Sequence, residues 1–189
     1  VNLSSERATV TFDPSAVGLP ANLNVTLALT GGSGSLLGAT SVDVGSAGGN
    51  GTVTYSNLEI DTGGTNKQLT AGAPGLTSAL SVVFTVNSPP TISSIPGVTT
   101  NEDTAVTIPF TVSDLETPAD GLVLSGTSAN TGLVANTNIV FGGSGNARTV
   151  TLSPLANANG SSTITVLVSD GSLASSNAFL LTVNPVNDR

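Results

Sequence analysis

Carboxylates hold most of the chemistry this chain has to offer, and they are bunched. Five of its twelve acidic residues lie between residues 101 and 121: Glu102, Asp103, Asp114, Glu116 and Asp120. Carboxylates grouped this way have two plain uses. A facing pair can act as acid and base on a sugar. A larger group can hold a hard cation that prefers oxygen, calcium above all. Other chemistries lack their side chains, because the sequence contains no His, Cys, Met or Trp. Without His or Cys there is no Ser–His or Cys–His nucleophile pair. Zinc and copper would lack the imidazole or thiolate they favour. Sugar clefts lean on aromatic platforms, and one Tyr and five Phe make a poor supply. The expectation is a protein that is not an enzyme.

The cations are few: Arg7, Lys67, Arg148 and Arg189, which leave a net charge of -8. Phosphate binding needs a basic patch, so nucleic acid is excluded as a partner. An anionic membrane would repel the same surface, and no apolar run approaches the roughly 20 residues that span a bilayer. No signal peptide is visible and the first residue is Val, as expected of a mature product or a fragment. Charged residues make up only 8% of the chain, while Gly, Ser, Thr and Asn dominate. Such a surface, with few flexible charged side chains, points to a secreted, protease-resistant module outside the cell or on its surface.

The elements that must position the acids read as strands. β-branched or alternating runs, bounded by Gly, Pro, Asn or Ser, recur about every ten residues, as a sandwich requires. In the first half they cover residues 8–12, 22–29, 40–44, 51–60, 68–73 and 80–86. In the second they cover 91–95, 105–113, 122–128, 139–141, 148–153, 163–169 and 178–183. Period two assigns the inward faces. Val106, Ile108, Phe110 and Val112 share one; Ile164, Val166 and Val168 another; Phe179, Leu181 and Val183 a third. In the first half Val53 with Tyr55, and Val82, Phe84 and Val86, are expected to do the same.

A repeat divides the chain. Thr85-Val86-Asn87 returns as Thr182-Val183-Asn184, about 100 residues on, the length of one antiparallel sandwich. Pro89 and Pro90 mark the joint, since they fix φ and withhold amide donors. The expected architecture is all-β: two tandem antiparallel sandwiches of the Ig-like and cadherin-like kind, residues 1–87 and 88–189, on a short stiff linker.

Particular stretches carry a resemblance. "PPTISSI", "TNEDTAVTIPFTVSDLETPA", "FGGSGNARTVTLSPLANANGSSTITVLVSDG" and "FLLTVNPVND" make residues 88–188 resemble the cadherin-like tandem repeat of very long bacterial surface proteins. "NVTLALTGGSGSLLGATSVDV", "GTVTYSNLEIDTGG" and "LTAGAPGLTSALSVVFTVN" make residues 1–87 resemble a bacterial immunoglobulin-like adhesin domain, one short of an opening strand before "ATVTF". The cadherin-like resemblance implies calcium at the joints between repeats. Glu102, with Asp103, would face the following linker, where Asn187 and Asp188 stand. Asp114 and Glu116, with Asp170, would face the preceding one.

Geometry agrees with that grouping. A strand over residues 105–113 is roughly 30 Å long at about 3.3 Å per residue, which sends Glu102 and Asp114 to opposite ends. Asp170 closes its own strand and can join Asp114 and Glu116. Carboxylates so gathered repel unless a cation sits among them. The first linker departs from the family, with Ser88 where an Asp is usual, so that joint is expected to be weak or empty. The second would need a neighbouring repeat or molecule to complete it. Asp43, Glu59, Asp61 and Asp120 read as surface charge.

The leading expectation of function is a structural spacer in an extracellular adhesin or fibre protein. Its partners would be adjacent repeats, copies of itself, or a cell-surface or matrix target. A self-assembling filament subunit that donates a strand between copies is the alternative. A carbohydrate-binding accessory module is third, and the shortage of aromatics argues against it.

Overall fold

The structure is a computed structural model, which describes residues 6–11, 23–44 and 52–187. The chain divides between Ser88 and Pro89 into two compact units, Val1–Ser88 and Pro89–Arg189.

The first unit contains β1 (Glu6–Thr11), β2 (Asn24–Gly31), β3 (Leu36–Leu37), β4 (Ser41–Asp43), β5 (Thr52–Ile60), β6 (Gly64–Gly72), β7 (Ala79–Leu80) and β8 (Phe84–Val86). One sheet runs β1-β5-β3; the other runs β4-β2-β6-β7, with β8 also on β6. Alternation builds the core between them. Val25 and Leu27 of β2 turn inward with Val53, Tyr55 and Leu58 of β5, alongside Leu23 and Val44. Tyr55 is buried, and its hydroxyl donates to the Val25 carbonyl at 2.6 Å, which satisfies its polar end. Burial in turn raises its pKa above the ordinary value.

The expected inward stripe at 80–86 does not form. Val82 is 84% exposed, and Phe84 and Val86 are half-buried. The run is broken in two: β7 pairs with Thr70 and Ala71, while β8 pairs with Gly64 and Lys67, further down β6. Between them the Ser81 hydroxyl donates to the Val82 carbonyl and takes the Leu69 amide, so the ladder is interrupted there.

The second unit contains β9 (Thr91–Ile92), β10 (Val98–Asn101), β11 (Val106–Ser113), β12 (Val123–Ser128), β13 (Ile139–Ser144), β14 (Ala147–Leu152), β15 (Gly160–Ser169) and β16 (Ala174–Asn184). Its sheets run β10-β16-β15-β12 and β13-β14-β11-β9. Ile108, Phe110 and Val112 face inward from β11, and Thr107, Pro109 and Thr111 face out. Across from them Ile164, Val166 and Val168 of β15 and Leu181 of β16 are fully buried. Phe110 meets Phe141 edge to face at a centroid distance of 6.4 Å. The sheets approach so closely that a Cβ on Gly126 would lie 2.7 Å from Ile139 Cγ2.

β10 is a strand that period two does not announce, since "VTTN" has one apolar residue. It forms because β16 offers an edge, and the two pair in parallel from Val98↔Leu181 to Asn101↔Asn184.

Candidate functional site

The fold takes the acids of the second unit to its two ends. Asp114 follows the last residue of β11 and opens the loop to β12. The first residue of β12, Val123, pairs with Ser169, so Asp170 leaves β15 beside that loop. Asp114, Glu116 and Asp170 therefore share one end. Glu102 and Asp103 lie at the other, where Asn101 pairs with Asn184.

Sharing an end is not convergence. Asp114 Oδ1 accepts the amides of Glu116 at 2.8 Å and Thr117 at 2.6 Å, which closes the loop's first turn. Its Oδ2 is buried and has no hydrogen-bond partner. Asp170 Oδ1 accepts the amides of Ser172 and Leu173, each at 2.6 Å, and the turn is completed by Gly171 at φ +97. These are the local turn bonds that Asp favours. Glu116 is half-buried. Among the described residues no three His, Cys, Asp or Glu side chains gather where they could hold a metal ion.

At the other end Glu102 is 6% exposed, and its Oε1 accepts the Val186 amide at 2.5 Å. The resemblance sent this residue toward the following linker, and it touches that segment directly. Asp103 stands in the left-handed region at φ +59, and its Oδ1 accepts the Asn157 amide at 3.1 Å. Asn187 is exposed. Asp188 lies outside the described residues.

Two acids read as surface charge have partners. Asp120 Oδ1 accepts the Gly145 amide at 2.6 Å and lies 3.5 Å from Arg148 Nη2. Arg148 donates to the carbonyls of Ala119 at 2.7 Å and Gly143 at 3.0 Å, clasping the β13–β14 turn to the loop after β11. In the first unit Asp61 accepts the Ser35 amide at 2.8 Å and the Thr62 hydroxyl at 3.0 Å. Those bonds, the backbone one foremost, hold its pKa below the ordinary carboxylate value, with Lys67 adding a smaller pull. Lys67 itself is wholly buried and donates to the Ser33 carbonyl. Period two along β6 was the available signal, since it puts Lys67 in line with Leu69 and Ala71.

A shallow groove over β11 and β14 is lined by Pro109, Phe110, Thr111 and Thr149. Its one charged side chain, Arg148, is already committed to backbone carbonyls. No helix among the described residues is long and apolar enough to cross a membrane.

Two-sheet antiparallel sandwiches, the second with a parallel β10–β16 pair, give an Ig-like fold. Residues 87–183, just over half of the chain, match the family described as bacterial Ig domain, and the chain belongs to that family. The match falls on the half whose stretches resemble the cadherin-like repeat, and what is established there is the Ig family. Among solved structures, the I67–I69 I-band fragment of titin is 13% identical with a TM-score of 0.54 over 96% of this chain and 60% of its own. Identity that low speaks for the fold alone. Titin Z1Z2 in complex with telethonin is 12% identical with a TM-score of 0.40, over 97% of this chain and 90% of its own. The D0–D1 domain of intimin is 19% identical with a TM-score of 0.34, over 95% of this chain and 90% of its own. No curated protein matches the chain.

Proposed function

We propose that this chain is a non-catalytic spacer in an extracellular bacterial surface adhesin or fibre protein. One observation carries the reading: two Ig-like units, each with its own core, follow one another with a Pro-Pro pair at the boundary, and the second belongs to the bacterial Ig family. Asp61, Asp120 and Asp170 close turns or tie loops, which is work a spacer needs. The test is antibody labelling of intact cells that express the full-length protein. Surface labelling supports the spacer, and labelling only after permeabilisation sinks it.

Calcium belongs to the same proposal, at the end of the second unit that carries Asp114, Glu116 and Asp170. The buried, unbonded Asp114 Oδ2 is the observation that favours a cation there. The cation would supply charge neutralisation, and the side chains would supply oxygen. Extracellular modules bind calcium at roughly 10⁻⁴ to 10⁻³ M. At about ten times the dissociation constant, linkage stabilises by about 1.4 kcal/mol, a rise of several degrees in Tm. Paired melts in millimolar calcium and in chelator decide it, because coincident curves remove calcium from the function.

A further inference from the structure

We propose that the Glu102 carboxylate is a latch that holds the chain where it leaves the second unit, and that it needs no cation to do so. This goes beyond the spacer reading and stands without it, because it concerns one carboxylate and one amide.

The backbone ladder ends at Asn184, the last residue paired with β10. Pro185 follows and has no amide with which to extend it. Val186 is 46% exposed and belongs to no strand. An exposed segment outside the ladder opens easily unless something ties it down. Here the tie is the Glu102 side chain, whose Oε1 takes the Val186 amide at 2.5 Å.

The carboxylate is mounted on a braced turn. The Glu102 amide donates to the Asn184 carbonyl at 2.9 Å, so the residue grips the departing strand twice. The Thr100 hydroxyl bonds the Thr104 carbonyl at 3.0 Å, and Asp103 reaches the Asn157 amide. At 6% exposure the carboxylate has little water to return to, and a charged acceptor makes a bond about twice as strong as a neutral one. The direction of the chain through residues 185–187 thus follows from a side chain in the turn just after β10.

Amide exchange read by NMR on the full 189-residue chain tests this. The Val186 amide is expected to be protected, despite lying outside any strand. Glu102→Ala is expected to speed its exchange on the order of ten- to a hundredfold, the range of a bond to a charged group. Glu102→Gln, which keeps a neutral acceptor, should fall between. The amides of Ile164, Val166 and Val168 in β15 report whether the unit stays folded. Calcium should leave the Val186 resonance where it is. An unprotected Val186 in the unaltered chain overturns the latch even if no variant folds. So does a Val186 rate indifferent to Glu102→Ala, or a calcium-induced shift as large as that substitution produces.

Discussion

Asp114 shows how much one carboxylate does here through backbone amides. Its Oδ1 closes a turn through two amides, so removing it leaves both donors to find water. Bonds to charged groups contribute about 1.5–3 kcal/mol, and half-burial places this one toward the lower figure. Asp114→Ala is expected to destabilise the second unit by about that much, and Asp114→Asn, which keeps an acceptor, by less. Denaturant titration of both variants checks the order. Asp61 makes a pH prediction. Its folded pKa is depressed, so its contribution is present above the unfolded value of about 3.9 and fades as pH falls through the folded value. Asp61→Asn should therefore lower stability at neutral pH, leave it little changed below the folded value, and so flatten the acid limb of the stability curve; an acid limb of unaltered slope would be the contrary result. The residues themselves were legible as a group, but their bonding was not. An Asp that closes its own turn and an Asp that could bind a cation occupy the same place in a sequence, just after a strand. Asp114 and Asp170 each take two amides on Oδ1, and the sequence does not show that Asp114 alone buries its Oδ2 without a hydrogen bond.

At the scale of elements, legibility followed the partner. β11 and β15 were readable because each packs one face on the core, which stamps period two on the sequence. β10 was not, because its partner β16 lies some eighty residues away and a short polar strand needs only an edge to pair with. Residues 80–86 misled for the opposite reason, since their β-branched pattern belongs to an edge that splits. Glycines then set what the elements tolerate. Gly143, near the end of β13, stands at φ +88, and a Cβ there would run into the Ala147 carbonyl oxygen. Gly145, two residues on, is also left-handed at φ +56 but faces open space. Gly145→Ala should cost about 1–2 kcal/mol, the left-handed penalty alone. Gly143→Ala should cost more, because the clash adds to it. Thermal melts of the two variants give the comparison, and equal losses would mean the hairpin relaxes around Gly143.

Over the whole molecule, charge and its gaps decide how copies meet. A net charge of -8 makes like chains repel at long range. Yet no charged residue occurs between Lys67 and Glu102, and that neutral run holds the exposed edge of the first unit. β7 ends the order β4-β2-β6-β7; its Leu80 is 65% exposed, and after it Val82 is 84% and Val83 57% exposed. Edge strands with apolar side chains and no Lys are templates for pairing with another chain. If copies assemble, this edge is where repulsion is weakest and backbone bonds are on offer. Salt should then promote assembly, because a Debye length of about 8 Å at 0.15 M screens the repulsion and leaves apolar contact intact. Val82→Lys should abolish it while moving stability by no more than about 0.5 kcal/mol, as befits an exposed site. Light scattering against concentration, at low and high salt, separates the cases. Association that grows with salt and disappears in Val82→Lys makes the chain a self-pairing subunit. A monomer under every condition leaves the edge for something other than a copy, and the spacer as the reading that remains.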